Sequence, residues 1–365
     1  MTDSPMLFEP MRFRDLTLRN RIWLAPMCQY SVPEEDGVPT DWHLVHLGSR
    51  AAGGYGLIMT EASAVVPEGR ISLQDAGIWN DRQATAWQRI VEFIHSQGSA
   101  AGVQLAHAGR KASAHRGFPG EKVGPLTESE GAWQTVGPSE VPFEGMPAPR
   151  ALTVEELRGV VDAFGEAAGR ADAAGFDLVE IHAAHGYLLH EFLSPLSNVR
   201  TDEYGGDFDG RTRLLREVVA GVRAALPAEK PLFVRLSGTD WTDGGWDIEQ
   251  TVHLARVLAE LGVDLIDMSS GGNVVAHIPV GPEYQVPLAR AVRKDGVVAV
   301  SAVGLIDDPA QAEAILQRGD ADAIFIARAA LREPAWPLRA AAELGVPWRD
   351  APYPPQYTRG KWADE

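Results

Sequence analysis

Two histidines and a tyrosine stand together at the end of a short apolar stretch. In VEIHAAHGYLLHEF, residues 179–192, His182, His185 and Tyr187 are spaced i, i+3 and i+5. Two imidazoles can donate hydrogen bonds to an oxygen on which negative charge develops. A phenol, with a reference pKa of ~10, stores a proton at pH 7. The same two histidines could instead bind a metal ion, so the rest of the chain must decide between these chemistries.

The composition argues against several classes of protein. The 365 residues include 33 Lys and Arg against 50 Asp and Glu, a formal net charge of −17. Such a surface repels phosphate backbones and anionic lipids, which argues against binding to nucleic acids or membrane surfaces. A single cysteine rules out an intrachain disulfide framework and a cysteine-rich metal cluster. We find neither a run of ~18 apolar residues nor a signal-peptide pattern, and we therefore expect a cytoplasmic protein.

Apolar runs typical of buried strands alternate with helix-like stretches along the chain. Most of these runs are continuously apolar, as in parallel strands covered on both faces. The stretches between them begin with capping residues and end in glycine, as in 153–175, where Thr153 and Glu156 form a capping box. This alternation predicts an α/β fold, a single (β/α)8 TIM barrel over residues 1–365. The eight strand-like runs are 22–26, 56–65, 100–107, 176–182, 232–237, 263–270, 297–304 and 321–327.

Three segments depart from this alternation. FRDLTLRNR, residues 13–21, has the pattern of an N-terminal hairpin, which we expect to plug the bottom of the barrel. Residues 108–150 form a long excursion after the third strand, which we interpret as a lid with strand-like pieces at 132–137 and 140–145. The proline-rich residues 352–365 form a C-terminal tail, which we expect to be extended.

Polar residues fall where a barrel places its functional groups, at the C-terminal ends of the strands. Arg235 stands inside the apolar run LFVRLS, where a guanidinium is costly to desolvate unless it meets an anion or strong acceptors. Gln104 offers an amide from the barrel interior. Gly304 and Arg328 follow the seventh and eighth strands, where barrels frequently bind phosphate. A flavin ring needs such polar partners, and its phosphate needs such a cradle.

Several longer motifs resemble those of the old yellow enzymes. The resemblance extends over almost the whole chain. The cysteine of PMCQY and the tail motif QYTRG resemble the thermophilic-like subclass, which includes xenobiotic reductase A-like enzymes. The motifs are APMCQYS (25–31), TEASAV (60–65), GVQLAHAGRKA (102–112), GFDLVEIHAAHGYLLHEFLSP (175–195), NVRTDEYGGDFDGRTRLLREVV (198–219), SAVGLI (301–306) and QYTRGKW (356–362).

The resemblance implies a noncovalent FMN that NADPH or NADH reduces. The activated C=C bond of an enone or a maleimide would reoxidise it. His182 and His185 would hold the substrate carbonyl oxygen, Tyr187 would donate the proton, and Tyr30 and Lys111 would help to bind the substrate. We expect Cys28 to tune the flavin potential. The implied flavin contacts are Ala25, Pro26, Met27, Cys28, Ala62, Gln104, Arg235, Gly304, Ala327 and Arg328.

The alternative is a metal-dependent aldolase or hydrolase barrel with His182 and His185 as ligands. A catalytic zinc site usually has three protein ligands, and no HExxH motif accompanies the pair. The neighbouring strand ends carry Arg235, Gln104 and Lys111, which suit an anion rather than a cation. We therefore expect no metal.

The tail suggests self-association. Tyr357, Arg359 and Trp362 are residue types enriched at interface hot spots. In the resembling subclass this arginine reaches the substrate pocket of the adjacent protomer. We therefore expect a homodimer or homotetramer in which Arg359 and Trp362 complete the substrate site of a neighbour.

Overall fold

Eight parallel strands close into a barrel, as the sequence predicts. A computed structural model describes residues 4–362. Barrel neighbours pair in the order β10–β11–β12–β3–β4–β5–β8–β9, and each of these pairings is parallel. The strands are β1 (Met11–Phe13), β2 (Leu16–Leu18), β3 (Ile22–Leu24), β4 (Leu57–Ala64), β5 (Ala100–Ala106), β6 (Val136–Gly137), β7 (Arg150–Ala151), β8 (Leu178–Ala183), β9 (Leu232–Ser237), β10 (Leu265–Ser269), β11 (Ala299–Ala302) and β12 (Ala323–Ile326).

Amphipathic helices surround this barrel. The capping box of α3 forms as predicted, because the Thr153 side chain accepts from the backbone N–H of Glu156 while the Glu156 side chain accepts from that of Thr153. Gly175, with φ of +89°, ends the same helix. The helices are α1 (Asp41–Ala52), α2 (Asp81–Ser96), α3 (Val154–Ala173), α4 (Leu188–Leu193), α5 (Phe208–Ala225), α6 (Ile248–Glu260), α7 (Val286–Arg293), α8 (Pro309–Gln317), α9 (Arg328–Arg332) and α10 (Trp336–Glu343).

The N-terminal hairpin covers the bottom of the barrel. Strands β1 and β2 pair antiparallel. The Phe13 ring meets the ring of Phe233 edge-on, with 5.0 Å between centroids, and it also contacts Trp23. Trp23 and Phe233 lie near the N-terminal ends of their strands, so the hairpin covers the end of the barrel opposite to the functional rim.

The excursion after β5 contains one short parallel pair, which differs in part from the prediction. Residues 136–137 of the first strand-like piece pair with β7 at 150–151. The expected strand at 140–145 is not formed. Pro142 has no N–H for a ladder, and the carbonyls of Val141 and Pro142 accept hydrogen bonds from the Arg110 guanidinium instead.

The C-terminal tail is not extended throughout. Pro355–Gly360 forms a 3-10 helix, so the expectation of an extended chain is wrong for these residues. The reason is that a proline in the first helical turn loses no hydrogen bond. Tyr353 packs against the cluster of Ala341, Val346 and Ala351. The last part of the predicted tail, 363–365, lies outside the described residues.

Within residues 4–362, no helix has the combination of length and apolar character needed to cross a membrane.

Candidate active site

The two histidines lie side by side at the C-terminal end of β8. The register of the sheet places His182 beside Arg235 of β9. Nδ1 of His185 is 3.3 Å from Nε2 of His182, and the two rings are nearly perpendicular, at 85°. His185 has φ of +60°, a conformation that few residues other than glycine adopt. Such an outlier at a rim of converging polar groups is consistent with a functional site.

A chain of hydrogen bonds assigns the protons of this pair. The backbone N–H of Ala184 donates to Nδ1 of His182 at 3.2 Å, so the neutral His182 ring carries its proton on Nε2. That N–H faces Nδ1 of His185, which therefore acts as the acceptor. Nε2 of His185 then carries the second proton and lies 2.6 Å from Oγ of Ser269. Each imidazole thus holds one N–H donor on Nε2.

Both histidines are neutral at physiological pH. Burial lowers the pKa of His182 and of His185 well below the usual range, and the nearby Arg235 guanidinium lowers both further. A neutral imidazole presents a donor to a ligand oxygen without adding a full charge. The pair is therefore suited to polarise a carbonyl oxygen.

Tyr187 borders the same space. Its ring meets the His182 ring edge-on, with 5.0 Å between centroids and 89° between planes. Burial raises the pKa of Tyr187, and the nearby Cys28 and Asp75 raise it further. The phenol is therefore fully protonated at pH 7.

Lys111 reaches this region, but its ammonium already has partners. Nζ donates to the carbonyl of His185 at 2.8 Å and to that of Gly272 at 3.0 Å. It also lies 5.0 Å from the centre of the Tyr187 ring and 4.7 Å from that of Phe143. Burial lowers the pKa of Lys111 to about 8. Lys111, which we expect to bind substrate, therefore also connects the loop at His185 to the loop after β10.

A third histidine of the opening motif supports the loop between His185 and Tyr187. Nδ1 of His190 accepts from the backbone N–H of Gly186 at 2.9 Å. Nε2 of His190 is 3.0 Å from Oδ1 of Asp240, close although not aligned as a straight hydrogen bond, and both side chains are fully buried. Gly186 has φ of +71°, and a Cβ there would collide with the carbonyl of Gly272. Only glycine fits this turn.

Arg235 and Gln104 each meet a buried carboxyl inside the barrel. Nε of Arg235 is 2.9 Å from Oδ2 of Asp267, again without straight alignment, and Oδ1 of Asp267 accepts from Ser301 at 2.8 Å. Nε2 of Gln104 donates to Oε1 of Glu180 at 2.7 Å. Burial, with Asp267 nearby, raises the pKa of Glu180 to about 8. The interior thus holds one ion pair and one largely neutral acid.

A cavity of about 150 Å³ at the ends of β11 and β12 fits a phosphate group. Arg235, Gly304, Ala327 and Arg328, four of the residues expected to contact a flavin, line it together. Gly304 has φ of +126°, and a Cβ there would lie 2.9 Å from Nε2 of Gln285, so a side chain would crowd the cavity. The Arg328 guanidinium beside the Gly304 backbone supplies donors of the kind that an anionic FMN phosphate requires.

The segment after β3 carries the remaining predicted contacts. Ala25 is buried in the barrel, and Cys28 follows within the same segment, which the Glu61 side chain anchors by accepting from the backbone N–H of Gln29 at 2.8 Å. Burial, with Asp75 and Glu61 nearby, raises the pKa of the Cys28 thiol well above its usual range. Cys28 is therefore a thiol rather than a thiolate, which fits the expected tuning role better than that of a nucleophile. Pro26, Met27 and Tyr30 lie in the same segment, and Ala62 lies in β4.

Two predicted substrate residues lie elsewhere. Arg359 and Trp362 belong to the tail, where the Trp362 side chain is 46% exposed.

Six residues that the sequence patterns do not predict support the predicted histidines and flavin contacts. Acidic residues inside apolar strands, as in LVEIH and LIDMS, were the available signal for two of them. The missed residues are Asp75, Glu180, His190, Asp240, Asp267 and Ser269.

The metal alternative requires a third ligand beside His182 and His185. Over residues 4–362, no group of three or more His, Cys, Asp or Glu side chains is arranged to hold a metal ion. The side chains near the pair include Arg235, Lys111, His190, Ser269 and Tyr187.

Comparison with known proteins agrees with this geometry. The profile of the NADH:flavin oxidoreductase / NADH oxidase family matches residues 6–346. An NADPH dehydrogenase of Bacillus subtilis is 48% identical over 355 residues, which are 97% of this chain and 98% of that protein. Morphinone reductase in complex with tetrahydroNAD is similar in structure, with a TM-score of 0.77 and 30% identity over 93% of this chain and 92% of that one. An old yellow enzyme homologue from Zymomonas mobilis has a TM-score of 0.77 and 32% identity, covering 93% of each chain.

These similarities span nearly the whole chain, and they indicate which cofactor the barrel binds. The family uses FMN, with NADPH or NADH as reductant, and the cavity lined by Gly304 and Arg328 is consistent with that cofactor. The chain belongs to the NADH:flavin oxidoreductase / NADH oxidase family and is an oxidoreductase of the old yellow enzyme type.

Proposed function

We propose that this oxidoreductase reduces the activated C=C bond of α,β-unsaturated carbonyl compounds, such as enones and maleimides, with NADPH or NADH as electron donor. The observation that carries the proposal is the pair of neutral, perpendicular imidazoles at the end of β8, with a protonated tyrosine against one of them. Bound FMN, once reduced, would supply the hydride for the Cβ atom of the substrate.

His182 and His185 bind the carbonyl oxygen in this proposal. The Nε2–H of His182 is fixed by the Ala184 backbone, and the Nε2–H of His185 is held at Ser269 until a stronger acceptor arrives. Negative charge develops on the carbonyl oxygen as the alkene is reduced. Hydrogen bonds to a charged acceptor are stronger than those to a neutral one, so these donors stabilise the enolate more than the enone.

Tyr187 gives its proton to Cα. Its pKa is raised by burial, so the proton stays on the phenol until a much stronger base, the enolate carbon, forms beside it. Arg235 and Gln104 would hold the flavin ring, while Gly304, Ala327 and Arg328, which line the cavity at the ends of β11 and β12, would hold the phosphate. Ala25, Pro26, Met27, Cys28 and Ala62 would complete the flavin contacts, and Tyr30 would border the substrate.

The experiment is anaerobic turnover of the purified FMN-loaded protein with NADPH and 2-cyclohexenone, with product analysis by gas chromatography. We expect cyclohexanone. Formation of the allylic alcohol would instead mean reduction at the carbonyl and would refute the proposal. The saturated ketone serves as the control substrate and should not be consumed.

We also propose a homo-oligomer in which the tail of one chain reaches the substrate site of another. The support is the exposure of aromatic groups on the tail, 56% for Tyr357 and 46% for Trp362, together with the cation Arg359 between them. Truncation after Pro355 should dissociate the oligomer in a sizing experiment and raise the KM for the enone. If the truncated protein keeps both its size and its KM, the tail has no role in a neighbouring site.

A further inference from the structure

A small cavity separates Tyr187 from a buried carboxyl group. The cavity measures about 10 Å³, close to the space that one water molecule needs. Tyr187 and Asp75 are its only lining residues with a titratable side chain. The others are alanines of β4, β5 and the segment after β5, with Gly69 and Ile71 of the loop after β4. A water here would have the Tyr187 hydroxyl and the Asp75 carboxyl as partners, and two partners suffice to hold it.

Asp75 is held in one position by its own loop. Oδ2 accepts from the backbone N–H of Ile71 at 2.7 Å. Oδ1 accepts from the backbone N–H of Ser72 at 3.0 Å and from the Ser72 hydroxyl at 2.7 Å. The side chain is 3% exposed. Asp75 therefore faces the cavity from a fixed loop rather than from a mobile surface.

Asp75 can exchange a proton near neutral pH. Burial raises its pKa to about 7, although the hydrogen bonds from Ser72 and Ile71 act in the opposite direction. An acid with a pKa near the working pH is an efficient proton carrier. The titratable and charged groups around it are Glu61, Arg70, Cys28, Tyr30 and Tyr187.

Each turnover leaves Tyr187 in need of a proton. This inference rests on the proposed function, in which Tyr187 protonates Cα. The resulting tyrosinate would be half-buried near Cys28 and Asp75, the same groups that raise the pKa of Tyr187, so its charge is unfavourable there. Protonation of the tyrosinate is strongly favourable, but it requires a proton donor within hydrogen-bonding reach.

We propose that Asp75 returns the proton to Tyr187 through one water molecule held in this cavity. The water gives a proton to the tyrosinate oxygen and takes one from the Asp75 carboxyl, which becomes a carboxylate. Solvent then protonates the carboxylate, so one proton enters from solvent for each proton delivered to Cα. No electrons move in this step.

The test compares steady turnover with a single turnover in Asp75→Asn. The amide keeps the size of the side chain and an oxygen for the Ser72 bonds, but it cannot release a proton. We expect kcat with 2-cyclohexenone to fall roughly 100-fold, the lower end of the range of a general acid. Single-turnover oxidation of the pre-reduced enzyme by the enone should keep the parental rate, because Tyr187 already holds the first proton.

Three further variants separate proton transfer from loop structure. Gln74→Ala removes the side-chain hydrogen bond of the same loop to Glu35 but leaves every bond of Asp75, so it should keep the parental kcat. Ala106→Val fills the cavity while leaving Asp75 in place, so it should reproduce the loss of kcat. In a Tyr187→Phe background, Asp75→Asn should cause no additional loss.

An infrared titration gives a readout that is independent of turnover. The parent should show the C=O band of a protonated carboxyl group that titrates near pH 7 and is absent in Asp75→Asn. The inference is overturned if Asp75→Asn turns over like the parent, if single and steady turnover fall equally, or if the loss persists in the Tyr187→Phe background. If Asp75→Asn does not fold, an unchanged kcat in Ala106→Val overturns it. A parent that does not reduce enones at all would instead refute the proposed function.

Discussion

His182→Ala should weaken the binding of a phenol such as p-hydroxybenzaldehyde more than His185→Ala does. Each substitution removes one N–H donor to the phenolate oxygen. A hydrogen bond to a charged group contributes about 1.5–3 kcal/mol, which corresponds to a rise in Kd of roughly 10- to 150-fold. The two variants differ because the hydrogen bonds run in one direction, from the Ala184 N–H to His182, from His182 to His185, and from His185 to Ser269.

The hydrogen bond between Nε2 of His182 and Nδ1 of His185 is absent from the ligand-free state of both variants, so its loss offsets both changes equally. In His185→Ala the Ala184 backbone still fixes the His182 tautomer, and no donor has to leave Ser269 when the ligand binds. In His182→Ala the Nε2–H of His185 must still leave Ser269, and a neutral hydrogen bond contributes about 0.5–1.5 kcal/mol, or roughly two- to tenfold in Kd. We therefore expect the Kd of the His182 variant to exceed that of the His185 variant by about this factor.

The assay is a titration of the oxidised FMN-loaded protein, followed by the long-wavelength charge-transfer absorption of the bound phenolate. The rate of flavin reduction by NADPH should change much less than phenol binding. His95→Ala is the matched control, because His95 is 40% exposed and pairs with Asp177. Equal Kd values for the parent and both site variants would refute the oxyanion site. A larger loss in the His185 variant would refute the assigned direction of the hydrogen bonds.

Other substitutions test the surrounding groups. Tyr187→Phe should slow enone reduction and leave FMN content unchanged, measured by stopped-flow and by the flavin spectrum, and an effect confined to NADPH oxidation would exclude the acid role. Cys28→Ala should shift the flavin potential in a dye titration while turnover persists, and complete loss of turnover with FMN bound would contradict a tuning role. The pKa of Glu180 is raised in the folded state, so the unfolding free energy of the parent should fall by about 1.4 kcal/mol per pH unit between about pH 4.5 and 8. Glu180→Gln should flatten this fall, and its amide can still pair with Gln104. Parallel pH curves in chemical denaturation would contradict this. Lys111→Met should raise the KM for the enone and leave the protein folded. An unchanged KM would mean that Lys111 does not contribute to substrate binding.

The fold could be predicted because its signals are local. Continuous apolar runs define all eight barrel strands, and residues such as Thr153 and Gly175 define helix ends through their own backbone bonds. The errors lie where a distant partner or a proline decides the structure. Residues 140–145 look like a strand, but Arg110, 31 residues earlier than Val141, binds two of their carbonyls instead. The prolines of the tail were expected to prevent a helix, yet the first helical turn accepts Pro355.

The site could be predicted less completely, because its supporting groups meet only in three dimensions. His182, His185 and Tyr187 are adjacent in the sequence, so their chemistry was visible there. Asp75 and Tyr187 are more than a hundred positions apart, and nothing in either local pattern indicates that they share a cavity. His190 was visible in the same motif, but its role depends on Asp240, which lies in the loop after β9.

The charges inside the barrel explain how neutral histidines and a polar flavin site coexist. Burial lowers the pKa of both imidazoles, and Arg235, which lies beside His182 in the sheet, lowers both pKa values further, so the two rings stay unprotonated. An isolated guanidinium would be costly to bury, and Asp267 on the next strand offsets that cost. A second carboxylate at Glu180 would then leave the interior with a net negative charge. Burial, with Asp267 nearby, instead holds Glu180 largely in its neutral form below about pH 8, where it still binds Gln104. In the proposed reaction, an anion on the substrate oxygen would meet the two N–H donors, and the neutral Glu180 would not add a second carboxylate to that of Asp267.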